Sequence, residues 1–154
     1  MADIPVDEIK RLRELTGVGI TDAKKALVEV NGNFDKALAA MRKKGLTKAE
    51  KRGEREARAG IIGTYNHDGR IGVVVEVNCE TDFVAKTDEF KELVKNICLH
   101  IASMEPKDVN ALVEQPFVKN PDQTVDNYVK EYIAKLGENI VIRRFSRIAL
   151  GEAE

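Results

Sequence analysis

The apolar positions of the first 45 residues recur at helical intervals and predict three short helices. The glycine-containing segments 17–19 and 31–33 separate these helices, and Thr21 is expected to cap the second one with Asp22 in its first turn. Such short helices are marginal alone, so they should pack together into a small three-helix bundle. The predicted buried faces are Val6, Ile9, Leu12 and Leu15, then Ala23, Ala26, Leu27 and Val30, then Phe34, Ala37, Leu38 and Met41.

A basic segment follows the predicted bundle. Residues 42–58 hold eight Lys or Arg against three Asp or Glu and almost no large apolar residue. We interpret this segment as a solvated, largely helical linker, and the alternative is a nucleic-acid contact. The segment lacks the interleaved aromatic residues that stack on bases, which favours the linker. The sequence thus divides into a bundle (1–45), a basic linker (46–58) and a core domain (59–154).

From Gly60 the apolar period changes to the alternation of strands. Residues 71–77 alternate around a fully apolar face, and the turn signal at 66–69 before them predicts a β-hairpin with an exposed His67 in its turn. Two amphipathic helices follow, one capped by Thr87 and one ended by Gly137, and residues 106–121 between them form a loop with at most one short helix. Their predicted buried faces are Phe90, Leu93, Val94, Ile97 and Ile101, then Val125, Tyr128, Val129, Tyr132, Ile133 and Leu136.

Residues 139–150 predict a last, long strand. Four isoleucine and leucine residues share one parity of this strand, whereas Val141 and Phe145 share the other. The basic side chains on it suit an edge of the sheet or a side that faces a partner. The core is therefore β-β-α-α-β, a small antiparallel sheet covered by helices on one face, and the fold class is α+β. The four residues of one parity are Ile140, Ile142, Ile148 and Leu150, and the basic residues are Arg143, Arg144 and Arg147.

Charge is unevenly distributed along the 154 residues. Residues 1–58 carry 14 Lys or Arg and 10 Asp or Glu, whereas the remainder carries 11 and 16, which suggests two regions with different roles. No apolar run approaches the roughly 20 residues of a membrane span, and no secretory signal is visible at the N-terminus. Two cysteines do not make a disulfide framework. We expect a cytoplasmic protein without a membrane partner.

The junction at residues 78–86 between the hairpin and the first core helix contains an aromatic residue, Phe83. Such junctions lie on the surface and are normally polar. The local sequence leaves two interpretations equally open: Phe83 packs back into the core at the start of the helix, or it is an exposed contact residue.

Catalytic chemistry finds little support in the sequence. Nothing brings Cys79 and His100 together as nucleophile and base, and Cys98 and His100 are two apart on a helix, so they do not face each other. Two half-buried thiols are the simpler interpretation. No cysteine and histidine spacing resembles a zinc site, and neither a phosphate-binding loop nor a dinucleotide fingerprint is present. The residues therefore favour a binding protein with no catalytic residue, metal or cofactor.

Three segments in order resemble translation elongation factor Ts. They are residues 12–27 (LRELTGVGITDAKKAL), residues 76–86 (EVNCETDFVAK) and residues 137–144 (GENIVIRR). The first two are specific, and the resemblance covers essentially the whole chain. It implies a ubiquitin-associated (UBA)-like N-terminal bundle, an α+β core, and a guanine nucleotide exchange factor for the GTPase elongation factor Tu.

The resemblance also implies which residues contact the GTPase. Within the second segment, the residues that disturb the magnesium and nucleotide site of elongation factor Tu would be Thr81, Asp82, Phe83 and Val84. Within the first, the residues that face the GTPase would be Arg13, Ile20, Thr21 and Lys24. The Ile20-Thr21 pair departs from the larger, more apolar pair of some relatives, which implies a weaker or differently packed contact. On this basis Phe83 is expected to be exposed.

Longer members of that family carry two related core halves and a helical insertion, whereas this chain has room for one half. We therefore expect a homodimer that rebuilds the double core. Two other classes remain as alternatives: a nucleic-acid-binding module that uses residues 42–58 and the last strand, and a ubiquitin-type adaptor that uses the bundle. The adaptor leaves the Phe83 junction unexplained.

Overall fold

Three helices come first in the computed structural model, which describes residues 3–152 and, at 46–48, 50 and 51, the backbone alone. They are α1 (Val6–Thr16), α2 (Ile20–Glu29) and α3 (Phe34–Arg52). Their shared core is small, as expected, and the helices are stabilised by packing on each other. The residues buried in it are Ile9, Leu12, Ala23, Ala26, Leu27 and Ala37. The outermost residues of the predicted bundle and core, 1–2 and 153–154, lie outside the described residues.

Two predictions for the bundle are wrong. Val6 and Leu15 are exposed rather than buried. At about 100° of rotation per residue, an unbroken i, i+3 series drifts around the helix, so both side chains lie about 90° from the buried centre between Ile9 and Leu12. The cap of α2 is also different, because the helix begins at Ile20 after Gly19 and no side chain caps it. Thr21 is therefore already inside the helix.

The basic segment is only partly a solvated linker. α3 continues without a break to Arg52, and the residues after it are fastened to the core. The Arg52 side chain donates to the Ile133 carbonyl at 3.0 Å, and Asn139 Nδ2 donates to the Arg55 carbonyl at 2.7 Å. Ala57 is buried. Ala49, within α3, is buried in the core as well, so the expectation of full solvation is wrong from Ala49 onward, whereas the domain boundaries remain a prediction.

The core domain is built on a three-stranded antiparallel sheet. Its strands are β1 (Ala59–His67), β2 (Ile71–Cys79) and β5 (Val141–Ala149), in the order β1-β2-β5. Residues 68–70 connect the first two strands, and Asp68 and Gly69 have φ of 52° and 71°, the positive values that the central residues of a type I′ turn require. His67 is exposed as predicted, but it is the last residue of β1. The last strand is an edge strand, also as predicted.

A β-bulge divides β5 into two halves, in which residues of equal parity lie on opposite faces of the sheet. Val77 pairs with Ile142, but Glu76 pairs with Arg144, so Arg143 is the extra residue. Since one extra residue exchanges the two faces of a strand, Ile142 is buried whereas Ile148 is 74% exposed. The prediction that equal parity gives an equal face is therefore wrong across this bulge.

The arginines of β5 do not all face outward. Arg147 lies on the inner side, where its guanidinium donates to the Ala102 carbonyl at 3.1 and 3.3 Å near the end of a core helix. Arg143 donates to Asn78 Oδ1 at 3.1 Å, beside the sheet. Arg144 lies on the outer face, where it pairs with Glu76, and Arg143 lies on the same side, because the Asn78 side chain that it bonds also donates to Glu76. The expectation of a basic partner-facing side is thus limited to these two residues.

The two predicted core helices are α5 (Asp88–Met104) and α7 (Val125–Leu136); α5 packs on β1 and β2, and α7 packs beside α5 in the same core. Thr87 caps α5 by accepting a hydrogen bond from the Phe90 N–H, and Gly137 ends α7 with φ of 79°. Both signals are confirmed. Between the helices lie a predicted short helix, α6 (Val109–Glu114), and an unpredicted hairpin of β3 (Pro116–Phe117) and β4 (Asn120–Thr124).

The bundle packs against the core through α7. Gly45 of α3 lies against Ala134, and Gly17, which ends α1, lies against Lys135. Because glycines at these positions carry no Cβ, the helices approach closely. The C-terminal end of α7 is therefore the part of the core on which the N-terminal bundle rests.

Candidate functional site

Phe83 projects from the core domain on a one-turn helix, α4 (Asp82–Ala85), that directly follows β2. Its side chain is 83% exposed, and it is the most exposed large apolar residue in the part of the chain that the structure describes. The core-plug interpretation is therefore wrong for this conformation. An aromatic ring held in water is available to a partner surface, where burial of such a side chain contributes roughly 1.5–3 kcal/mol.

The neighbours of Phe83 explain why the ring points outward. Val84 and Ala85 are buried, and they anchor α4 on the sheet. Successive residues of a helix are about 100° apart, so burying these two turns Phe83 to the opposite side. Val84 was predicted to contact a partner together with Phe83, and here its side chain instead fills the interior below the ring.

Hydrogen bonds at both ends hold the short helix. At the start, the Thr81 hydroxyl accepts from the Val84 N–H at 3.3 Å. At the end, the Thr87 hydroxyl donates to the Val84 carbonyl at 2.7 Å. Asp82 is exposed in the first turn, where a negative charge is favoured by the helix dipole. The capped turn presents Asp82 and Phe83 side by side.

A carboxylate from a distant part of the chain supports the residues before α4. Glu138 follows α7, and its Oε1 accepts from the N–H groups of Glu80 and Thr81 at 3.0 and 2.9 Å. Its Oε2 accepts from the Thr81 hydroxyl at 2.7 Å. In return, Glu80 Oε1 accepts from the Asn139 N–H at 2.8 Å. The sequence analysis missed Glu138 and Asn139, although both lie in the segment 137–144 that carries the resemblance.

The four residues predicted to form the second contact are all exposed on the bundle. Arg13 is in the last turn of α1, whereas Ile20, Thr21 and Lys24 lie in the first turns of α2. Ile20 and Lys24 are four residues apart and share one side of the helix. Val28 continues that side by one further turn and is exposed too, so it extends the apolar part of this surface.

The C-terminal end of α7 connects the two predicted contact regions. Ala134 and Lys135 lie against Gly45 and Gly17 of the bundle, and Glu138 holds the residues before Phe83. Only a few residues of one helix end thus separate the support of the bundle from the support of the Phe83 ring. The relative position of the two regions is set by this end of α7.

Catalytic and metal chemistry find no site in the described residues. Cys79 and Cys98 are buried, and burial raises the pKa of each thiol to about 11, so neither is a reactive thiolate near neutral pH. The His100 ring is occupied, because Nδ1 accepts from the Val118 N–H and Nε2 bonds Gln115. Within residues 3–152 no three His, Cys, Asp or Glu side chains are grouped to hold a metal ion.

Each helix in the described part of the chain is too short or too polar to cross a bilayer.

Comparison with known proteins identifies the family. A family model described as Elongation factor TS matches residues 80–154, which include the Phe83 segment and Glu138. Elongation factor Ts of Thermoanaerobacter sp. (strain X514) is 42% identical, over 97% of this chain and 96% of its own. That of Desulfosudis oleivorans is 41% identical, over 99% of this chain and 100% of its own. The chain belongs to the elongation factor Ts family.

Membership of the elongation factor Ts family confirms the resemblance found in the three sequence segments. Elongation factor Ts of Moorella thermoacetica is a further relative, 40% identical over 97% of this chain and 96% of its own. These alignments run over 195 to 198 positions, whereas this chain has 154 residues. The relatives therefore contain residues with no counterpart here, and this chain is shorter than they are over the aligned stretch.

Proposed function

We propose that this protein is a guanine nucleotide exchange factor that binds elongation factor Tu with GDP bound, promotes GDP release and allows GTP to bind during translation elongation. The observation that carries the proposal is the 83% exposure of Phe83 on a capped helical turn, in a chain of the elongation factor Ts family. The protein acts by binding, without a catalytic residue or a cofactor of its own, in the cytoplasm.

In the proposed mechanism the Phe83 ring inserts between helices of the GTPase near its nucleotide site. A GTPase holds its nucleotide through backbone amides, a lysine and a magnesium ion. Packed helices switch between discrete arrangements rather than stretching smoothly. A displacement of about 1 Å is enough to spoil octahedral magnesium ligation, since the ligands must lie at about 2.0–2.1 Å. The ring therefore acts on the ligands of magnesium and phosphate indirectly, through the helices that carry them.

Asp82 adds an electrostatic contribution. Its carboxylate is exposed next to Phe83, so it enters the GTPase surface together with the ring. Near a bound nucleotide a carboxylate repels the phosphates and competes for the hydrogen bonds and the cation that hold them. Thr81 has a different role, because its side chain is used inside this chain as the cap of α4 and as a donor to Glu138.

Exchange then follows from linkage. The factor binds the nucleotide-free GTPase more tightly than the loaded one, so nucleotide must bind more weakly by the same ratio when the factor is present. Burial of a Phe side chain contributes roughly 1.5–3 kcal/mol, which corresponds to about ten- to a hundredfold if it occurs in the nucleotide-free complex alone. Larger effects require further contacts that are made in that state.

The second contact is the surface of Arg13, Ile20, Thr21 and Lys24 on the bundle. These side chains combine two cations with one large apolar residue, which suits a GTPase surface that is acidic around an apolar patch. Each contact alone is expected to be weak. Because α7 connects them in one molecule, binding of the first raises the effective concentration of the second.

GDP release tests this proposal. Elongation factor Tu loaded with a fluorescent GDP is mixed with excess unlabelled GDP, with and without this protein, and the release rate is followed. We expect the rate to rise with protein concentration to a plateau. An unchanged release rate, together with a salt-dependent shift on mixing with RNA, would instead support the nucleic-acid-binding alternative for residues 42–58.

We further propose that the protein is a homodimer in which a second copy covers the outer sheet face. We define this face as the side of the sheet away from the helices; it includes Ile62, Thr64, Val74, Glu76, Arg144, Ser146 and Ile148. Ile62 and Ile148, 58% and 74% exposed, lie on opposite edge strands at opposite ends of the face. Val74 lies between them, on the central strand. A twofold axis that passes near Val74, parallel to the sheet and perpendicular to the line from Ile62 to Ile148, would bring the Ile62 of each copy towards the Ile148 of the other.

Charge on the outer sheet face also favours a second copy. Glu76 and Arg144 pair at 2.9 Å at one end of it, so their charges compensate each other within one copy and a second copy can cover them without leaving either charge unpaired. Sedimentation at micromolar concentration should show a dimer, and Ile148→Glu should shift it to a monomer. A wild-type protein that sediments only as a monomer would refute this part of the proposal and leave the exchange activity untouched. Ser146→Thr, a small polar change on the same strand, is the matched control.

A further inference from the structure

We infer that Glu138 is a positioning residue for nucleotide exchange, which acts by fixing the direction of the Phe83 ring. This inference rests on the proposed function of Phe83. Glu138 lies 55 residues away from Phe83 in sequence and does not belong to the predicted contact residues. Its carboxylate is nevertheless the group that connects α7 to the start of α4.

The Glu138 carboxylate binds two consecutive peptide groups and one hydroxyl at the same time. Both carboxylate oxygens are used: Oε1 accepts from two consecutive backbone N–H groups, and Oε2 accepts from the Thr81 hydroxyl. All three distances, 2.7 to 3.0 Å, are those of well-formed N–H···O and O–H···O hydrogen bonds. Two consecutive peptide groups bound to one carboxylate cannot rotate independently. The backbone direction at Glu80 and Thr81, from which α4 continues, is thereby fixed.

The residues next to Glu138 and Thr81 add further hydrogen bonds between the same two segments. Glu80 Oε1 accepts from the Asn139 N–H at 2.8 Å, so each segment provides a carboxylate for the backbone of the other. Arg55 lies 3.7 Å from the same Glu80 oxygen, and Asn139 Nδ2 donates to the Arg55 carbonyl. The residues before α4, those after α7 and those after α3 are thus joined in one network.

The hydrogen bonds to Glu138 matter because α4 is too short to hold its own orientation. A helix of one turn is not stable alone. The Phe83 ring can displace helices of the GTPase only if α4 keeps its orientation on contact. Thr81 has two functions here: its hydroxyl accepts from the Val84 N–H and donates to Glu138. Loss of Glu138 would leave that hydroxyl and two N–H groups to water. The ring would then remain exposed but lose its fixed direction.

The experiment is a double-mutant cycle on GDP release from elongation factor Tu, with wild type, Glu138→Ala, Phe83→Ala and the double variant. If Glu138 acts through Phe83, Glu138→Ala lowers the plateau release rate by about tenfold and changes the half-saturating concentration by less than about threefold, because the bundle contact is intact. In the Phe83→Ala background the same change then has no further effect. Glu138→Gln should recover most of the rate, since its amide oxygen still accepts from the two N–H groups.

Asp108→Ala is the matched control. Asp108 also holds a chain segment with its carboxylate, by accepting from the Ala111 N–H at 2.7 Å at the start of α6. Its loss should lower stability without changing the release rate. If Glu138→Ala does not fold, Glu138→Asp is used in the same cycle, because the shorter side chain keeps the charge but cannot span both segments.

The outcomes separate the two proposals. If Glu138→Ala lowers the release rate by the same factor in wild type and in Phe83→Ala, the positioning role alone is overturned. A wild-type release rate in Glu138→Ala has the same consequence. A wild-type rate in Phe83→Ala overturns the proposed function and this inference with it. A loss of release rate that Glu138→Ala causes when Phe83 is present but not in Phe83→Ala, with recovery in Glu138→Gln, supports both proposals.

Discussion

Gly45 on α3 lies so close to Ala134 on α7 that a Cβ atom at Gly45 would meet the Ala134 Cβ at 3.2 Å. Carbon atoms in contact are normally about 3.5–4.0 Å apart. The N-terminal bundle therefore rests on the core at a position where no side chain is tolerated without movement. Because the same end of α7 carries Glu138, this contact sets the distance between the bundle surface and the Phe83 ring.

Gly45→Leu should move the bundle on the core. The added side chain overlaps Ala134, so α3 must shift or detach from α7, and the two contacts with the GTPase no longer fit at once. We expect the protein concentration for half-maximal GDP release to rise roughly tenfold, a part of the avidity that tethering provides. Ala40→Leu places the same side chain on the exposed side of the same helix and should leave this concentration unchanged. An equal effect of both variants would contradict the contact.

Phe90→Ala should behave in the opposite way from a change at Phe83. Phe90 is 0% exposed at the start of α5, and it fills the interior between that helix and the sheet. Truncation of a buried phenylalanine costs about 3–5 kcal/mol. We expect urea unfolding to show a loss of this size, whereas an exposed position such as Phe83 should change stability by less than about 0.5 kcal/mol. Similar losses at the two positions would mean that Phe83 is buried in solution.

His100 should make the stability depend on pH. Burial lowers the pKa of this histidine below the 6.5 of a free one, and its Nδ1 must stay unprotonated to accept from the Val118 N–H. Above pH 6.5 the folded and unfolded chains are both neutral at this residue, so the stability is complete. As pH falls from 6.5 towards the folded pKa, the unfolded chain alone binds the proton, so stability falls.

The measurement for His100 is urea unfolding between pH 7.5 and about 5, above the range in which free carboxylates titrate. The slope of stability against pH in this window should decrease in His100→Gln. A slope that survives in His100→Gln would assign it to another group.

Much of the fold could be predicted because it depends on local signals. The Thr87 cap, the Gly137 end of α7 and the apolar face of α5 are each written within one turn or a few turns of the chain. The bulge at Arg143 could not be predicted in this way, because it depends on which residue of β2 lies opposite. The hairpin 116–124 was missed since its strands are short and rich in polar residues and proline.

The candidate site shows the same division. A four-residue helix has too few positions to define a face, so the direction of Phe83 was open from local sequence and was decided by the resemblance. Glu138 could not be predicted because the three groups that donate to it lie nearly 60 residues away. Contacts of this separation leave no periodicity in a single sequence.

The most direct test of the central claim is GDP release from elongation factor Tu by Phe83→Ala at saturating concentration, with urea unfolding of the same sample. We predict a variant as stable as wild type that loses most of the acceleration of GDP release. A folded Phe83→Ala protein that releases GDP as fast as wild type would contradict it.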